Sequence, residues 1–249
     1  MENNYYLYGI ALHEQPIEHL STLGIAELPV LQHKNELVTI LYSPLESTES
    51  DWLGTRKNLI AHQKVIEFFL PHTTAAPFKF GTIANEETLN IISQTRKEAF
   101  YQELKQYEGK VEYNLKAFWK EISLIFEQIE AENPHIRELK EYIIATAQNV
   151  PTNSAMIEVG KQVQMALEQK KQSLAKDMIE KIKPYVIHYK MEENNLDVLF
   201  LQVALLIDKT QEQALDEAIQ NIAEEYNDNI QFKYIGPSAP TSFMNLQIS

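Results

Sequence analysis

The order of apolar and polar positions along the chain predicts two α+β halves. Residues 5–12 are almost continuously aromatic and aliphatic, the mark of a first strand. Apolar runs at 28–31 and 37–42 predict two more strands, separated by the polar Gln32-His-Lys-Asn-Glu36, which suits a hairpin loop. A loop rich in Ser, Glu and Thr spans 43–55, with Pro44 as a breaker. Trp52, Leu59, Val65, Ile66 and Phe69 are then spaced for one buried face of a helix over 51–70, stopped by Pro71. Residues 75–83 read as an extended segment returning to the first sheet and closed by Gly81. From Asn85 the period turns helical through Leu89, Ile92, Phe100 and Leu104, with Gly109 as a C-cap.

The second half opens on alternation. Val111, Tyr113, Leu115 and Trp119 share one face of a strand, and Glu112, Asn114 and Lys116 the other. Helical patterns follow over 122–132, from Pro134 to about residue 148, and over 154–183. In the last, Met156, Val159, Val163, Leu167, Leu174, Met178 and Ile182 form a single stripe ended by Pro184. Residues 185–190 predict a strand, and 196–207 a strand apolar enough to be buried on both faces. An amphipathic helix over 210–226 follows, opened by a capping-box pair at Thr210 and Gln213. A final strand closes the order. From residue 111 on this is βαββαβ, the ferredoxin-like arrangement, with extra helices inserted after its first strand. The expected fold is α+β: residues 1–108 form a small mixed sheet with helices, and residues 109–249 a modified ferredoxin-like domain with an apolar tail.

That tail is unusual. Ile230, Phe232 and Tyr234 alternate with Gln231 and Lys233, and Gly236-Pro237 and Pro240 then turn the chain before Phe243, Met244 and Leu246. Termini are ordinarily polar and frayed, so this one is expected to dock on its own domain or on a partner.

Charge and composition narrow the function. A net charge of −13 and a pI near 5.0 repel phosphate backbones and anionic bilayers, so neither nucleic acid nor a lipid membrane is an expected partner. With no cysteine, disulfides, thiolate nucleophiles and cysteine-held metals are excluded. The 7 histidines are scattered without metal-ligand spacing, and no Gly-rich phosphate loop or nucleophile elbow occurs. No catalytic residue, cofactor or metal is therefore expected. The first residues lack the basic and apolar regions of a signal peptide.

Two aromatic segments share a plan, Pro77-Phe-Lys-Phe-Gly-Thr82 and Phe232-Lys-Tyr-Ile-Gly-Pro237. They read either as strand ends with inward rings and outward lysines, or as an aromatic surface for another protein. The second reading makes Phe78, Lys79, Phe80, Gly236, Pro237, Pro240, Phe243 and Leu246 candidate partner-binding residues.

Five segments in order carry a resemblance: Tyr6-Leu-Tyr-Gly-Ile10, His62-Gln-Lys-Val65, Pro77-Phe-Lys-Phe-Gly-Thr82, Gly109-Lys-Val-Glu-Tyr-Asn-Leu-Lys116 and Gly236-Pro-Ser-Ala-Pro-Thr-Ser-Phe243. Together they resemble the gas vesicle GvpL/GvpF family. Its pattern is Tyr-Gly-Ile, His-x-x-Val, Pro-x-Arg-Phe-Gly-Thr, Gly-x-x-Glu-Trp-x-Val-Lys and Gly-Pro-x-Pro-Pro-Tyr-x-Phe. Lys79 stands for the arginine, Tyr113 for the tryptophan, Ala239 for the first of paired prolines and Thr241 for the tyrosine. The resemblance implies a non-enzymatic accessory or minor structural protein of the gas vesicle, a cytoplasmic buoyancy compartment. It also implies two α+β domains, and as partners the major gas vesicle shell protein and other accessory proteins. Two alternatives stay open: an enzyme with a site in an interdomain cleft, and a homo-oligomeric binding module.

Overall fold

The computed structural model describes residues 4–13, 17, 19–45, 54–146, 153–226 and 228–246. The expected helix start at Asp51, Trp52 and the end of the second short helix near residue 148 lie outside them. The chain divides into two compact units: residues up to Glu112 with those from Gly236 onward, and Tyr113–Ile235. The tail from Gly236 on, assigned from sequence to the 109–249 domain, thus groups with the first unit.

In the first unit the order is β1 (Asn4–Leu12), β2 (Leu31–Lys34), β3 (Val38–Leu45), α1 (Arg56–Phe69), β4 (Ala75–Pro77), β5 (Ile83–Asn85), α2 (Glu86–Thr95) and α3 (Lys97–Gln106). The sheet runs β2-β3-β1-β4, with β5 also on β1. Where a mixed sheet was expected, every described pair is antiparallel. The physical reason is that β1 lies between β3 and β4, so these two parallel strands, joined by α1, never pair directly.

β1 is buried on both faces, and a register shift between Leu7 and Gly9 exchanges them. Tyr6 and Tyr8 before it share a core with Ala11 and with Val65, Ile66 and Phe69 of α1. Leu7, Ile10 and Leu12 share the other core with Leu89 and Ile92 of α2 and Phe100 and Leu104 of α3. Each such side chain, fully buried, contributes on the order of 1.5–3 kcal/mol. α1 and α2 start on side-chain caps: Thr55 accepts from the Asn58 N–H at 3.3 Å, and Asn85 from that of Thr88 at 2.8 Å.

The strand expected at 28–31 instead begins at Leu31 and takes in Gln32 and His33. As an edge strand it carries polar side chains. Gln32 Nε2 donates to the carbonyls of Ile17 and Leu20, and Asn35 Oδ1 closes the hairpin by accepting from the N–H groups of Leu37 and Val38. Pro44 does not break β3, and Leu59 of α1 is exposed while Asn58 and His62 are buried in its place.

The second unit follows the ferredoxin-like order: β6 (Lys110–Trp119), whose first residues belong to the first unit, then α4 (Ile122–Glu132), α5 (Pro134–Thr146), α6 (Asn153–Ile182), β7 (His188–Met191), β8 (Leu199–Asp208), α7 (Glu212–Glu225) and β9 (Ile230–Ser238). Its sheet runs β7-β8-β6-β9, so the central strands are the first and third of the βαββαβ unit. β8 is buried over nearly its whole length, as its apolar run predicts. The α6 stripe is buried at Leu167, Met178 and Ile182 but exposed at Met156. The expected capping box does not form. Asp208 Oδ1 instead accepts from the N–H and hydroxyl of Thr210, while Gln213 turns to Glu217. Nor does Gly236-Pro237 end the last strand. β9 runs on to Ser238, because a proline is tolerated on an edge strand.

Gly9 sits at the shifted register, where backbones crowd. A Cβ there would lie 2.3 Å from the Ala76 carbonyl oxygen and 2.5 Å from Ile66 Cδ1. Gly9→Ala is expected to destabilise the first unit by about 2–3 kcal/mol. Urea unfolding followed by circular dichroism checks this; an unchanged midpoint would mean that β1 and β4 separate at no cost.

Candidate functional site

Two buried polar clusters in the first unit join segments far apart in sequence. The first is built around His62, which α1 turns inward one helical turn before Val65 and Ile66. Its Nε2 lies 3.1 Å from the carbonyl oxygen of Phe78 and its Nδ1 2.9 Å from Tyr6 Oη. A carbonyl only accepts, so Nε2 carries the proton and Nδ1 accepts from the tyrosine. Tyr6 Oη in turn accepts from the Gly81 N–H at 3.2 Å. Gly81 has φ of +86°, the left-handed backbone that brings its N–H there. Phe80 packs edge-on to both rings, with centroids 5.6 Å from His62 and 6.4 Å from Tyr6.

Tyr8 extends the cluster. Its hydroxyl accepts from the Ile25 N–H at 3.0 Å and meets Ser43 Oγ at 2.9 Å, and Ser43 donates to the Pro29 carbonyl at 2.8 Å. Two hydrogen-bonded sets, joined by the packing of the Tyr8 ring on Tyr6 and His62, thus tie β1, β3, α1, the 24–29 loop and the 78–82 excursion between β4 and β5. Burial raises Tyr6 to about 12, raises Tyr8 from its ordinary value and lowers His62 below 6.5. All three are neutral near pH 7.

The second cluster holds the tail. Glu112 is only 2% exposed, although strand alternation assigned it to the polar face. Its Oε2 accepts from the Ser242 N–H at 2.8 Å and its Oε1 from the Ser242 hydroxyl at 2.7 Å. Ser238 Oγ donates to the Glu112 carbonyl at 3.1 Å, Tyr107 Oη to the Phe243 carbonyl at 2.9 Å, and the Asn245 N–H to Glu103 at 2.7 Å. Ala239 enters the α1-side core, and Met244 and Leu246 pack against the α2–α3 core. The tail docks on its own unit.

The candidate partner-binding residues fall into three groups. Phe78 and Pro240 are buried; Phe80, Phe243 and Leu246 are half-buried; Lys79, Gly236 and Pro237 are exposed. Phe78 lies in one core and Phe80 against the other, so Lys79 between them is held at the surface.

Neither cluster is open to chemistry. His62 faces a phenol and a carbonyl, and His13 Nδ1 lies 3.3 Å from Thr39 Oγ1. Among the described residues, no group of three or more His, Cys, Asp or Glu side chains is placed to hold a metal ion, and no helix is long and apolar enough to cross a membrane.

The five sequence segments carrying the resemblance supply most of these contacts, and comparison with known proteins gives the reason. Residues 4–245 match the family of gas vesicle synthesis protein GvpL/GvpF. The chain belongs to the GvpL/GvpF family. It is 23% identical to gas vesicle protein F of Dolichospermum flosaquae over 97% of both chains. It is 25% identical to that of Streptomyces sp. (strain CB03234), over 96% of this chain and 98% of the relative. Its fold is that of the crystal structure of GvpF from Anabaena sp. PCC7120, with a TM-score of 0.84 at 22% identity, covering 98% of this chain and 99% of the other. The GvpF crystal structure from Microcystis aeruginosa superposes with a TM-score of 0.81, also at 22% identity and over 98% and 99% of the two chains.

Reading by residue type missed Glu112, Ser242, Tyr8 and Ser43 as site members. For Glu112 the signal was the glutamate of Gly-x-x-Glu in the family pattern; its partner Ser242 falls on an unspecified position of the tail pattern. Tyr113, in place of tryptophan, stacks on Tyr234 at 4.9 Å and donates to Glu212 at 2.9 Å within the second unit.

Two outcomes follow from the clusters. A histidine whose value is lowered by folding contributes stability that is complete above 6.5 and lost as the pH falls below it toward the folded value. Urea midpoints measured from about pH 7.5 down to about pH 5.5 should therefore fall more steeply for the natural chain than for His62→Gln, which no longer titrates; parallel slopes would refute the assignment. Glu112→Ala should cost about 3 kcal/mol, and Ser242→Ala about 1 kcal/mol, in urea unfolding. Equal and negligible losses would show that the carboxylate does not hold the tail.

Proposed function

We propose that this chain is a non-enzymatic accessory or minor structural protein of gas vesicle formation, which binds the small hydrophobic shell subunit during assembly. The observation that carries this reading is the family match over residues 4–245. A hydrophobic subunit exposes apolar area before it is assembled and tends to aggregate. A soluble acidic partner masks that area and keeps the complex dispersed.

The surface chemistry is in keeping with such a role. In the second unit the inserted helices leave Leu124, Phe126, Ile144, Met156 and Met165 exposed. Methionine and aliphatic side chains without a fixed partner adapt to varied apolar surfaces. In the first unit Lys79, Gly236 and Pro237 are the exposed members of the candidate set, and Phe78 and Pro240 are buried. The polar groups of each cluster are directed at one another, which is in keeping with a role in binding.

Co-expression with a tagged major shell protein tests the reading. The chain is expected to be captured with the shell protein, and the pair Ile144→Lys and Met156→Lys to reduce capture while leaving the circular dichroism spectrum unchanged. Absence of capture, together with normal vesicles in a strain lacking the gene, would overturn the proposal.

A further inference from the structure

In the second unit, α6 and the edge of the sheet enclose a groove of about 480 Å³. Its apolar lining comes from Ala175 and Ile179 of α6, Tyr189 and Met191 of β7, and Leu199 and Phe200 of β8. Its rim carries Glu168, Glu180, Glu192 and Glu193 against Lys171 and Lys176. The Lys171 ammonium is turned to the Leu196 carbonyl at 2.9 Å, and Glu180 is shared with Lys183 at 3.0 Å. The rim is net acidic.

β7 borders this groove and is an edge strand, with no strand outside it among the described residues. The β7–β8 register pairs Met191 with Val203 and Lys190 with Ala204, and the Glu192 N–H donates to the Gln202 carbonyl at 2.8 Å. In an antiparallel pair, hydrogen-bonded and non-hydrogen-bonded positions alternate. Glu192, Lys190 and His188 therefore turn their backbone groups toward β8. Tyr189 and Met191 turn theirs outward, and the same two residues put their side chains into the groove. An open ladder edge and an apolar groove thus coincide at one pair of residues. A strand added there satisfies the outward N–H and C=O groups and lays its own alternate side chains over α6.

We propose that the β7 edge and the α6 groove bind an extended segment of a partner protein, with alternating aliphatic side chains and basic flanks, as an added strand. The acidic rim selects the basic flanks. It also argues against a second copy of this chain as the occupant, since pairing two β7 edges would bring two carboxylate rims together in a protein of net charge −13. The inference goes beyond the shell-subunit reading and does not depend on it, because a peptide titration reads the groove alone.

The test titrates the full chain with acetyl-Lys-Lys-Val-Thr-Val-Thr-Val-Lys-amide, following backbone amide signals and fluorescence anisotropy. The expected result is saturable binding that shifts the Tyr189 and Met191 amides. A peptide with glutamates for the lysines should bind at least about tenfold more weakly. Tyr189→Pro removes an outward N–H without removing a ladder bond, and Met191→Arg puts into the groove a positive charge like that of the peptide's lysines; each should weaken binding at least about tenfold. Should Tyr189→Pro fail to fold, Met191→Arg, a change at an exposed side chain, still decides the matter. No saturable binding at about 1 mM peptide, or binding unaltered in the folded variants, overturns the proposal. Shell-protein capture that persists after peptide binding is lost would leave the shell-subunit reading standing with its contact elsewhere.

Discussion

The register shift between Leu7 and Gly9 is the constraint on which the first unit depends. β1 is the central strand, and both its faces are buried. A strand without the shift would keep Tyr6 and Tyr8 on the same face as Ile10 and Leu12. The shift instead sends the two phenols to the α1 side, and the aliphatic residues after it to the α2–α3 side. Two buried hydroxyls then require partners, because an unpaired polar group in a core costs on the order of 1–3 kcal/mol. His62, Ser43 and the N–H groups of Ile25 and Gly81 are those partners. Each comes from a different part of the chain, so one displaced residue pair in β1 dictates where α1, β3 and two loops must lie.

The same logic explains the tail. A buried carboxylate is tolerable only when donors surround it. Glu112 finds two of them on Ser242, more than a hundred residues away in sequence. Once that contact is made, Ala239, Met244 and Leu246 are carried onto the two cores that β1 separates. The apolar character of the last residues is thereby accounted for by the first unit itself. The exposed part of this strap is its entry, Gly236 and Pro237.

Much of the architecture was legible because it rests on local periodicity. The βαββαβ order, the long α6 and the doubly buried β8 follow from apolar spacing alone. The failures have a common cause, which is polar residues used for long-range contacts. Gln32 and His33 looked like a loop because their partners, the carbonyls of Ile17 and Leu20 and the hydroxyl of Ser93, are invisible to a local window. Glu112 looked solvent-facing because alternation counts hydrophobicity and not hydrogen bonds. His62 took a core position that Leu59 seemed to fill. Gly236-Pro237 looked like a stop, but an edge strand spares a proline its missing donor, and the chain turns only past Pro240. Thr210 lost its capping role to Asp208, two residues earlier and charged, hence the stronger acceptor.

The two units differ in what their interiors hold, while both leave apolar side chains accessible, Leu23, Ile60 and Ile91 in the first among them. In the first, tyrosine, histidine, serine and glutamate are drawn inside and hydrogen-bonded to one another. In the second, the core is almost wholly aliphatic and aromatic, while methionines and isoleucines of the inserted helices, and Tyr189 and Met191 at the sheet edge, stay accessible. Keeping them in reach of water lowers solubility, and the high net negative charge offsets that cost by holding copies of the chain apart. Acidic charge and exposed apolar surface therefore act in opposite directions: the second favours association, and the first opposes it between copies of the chain.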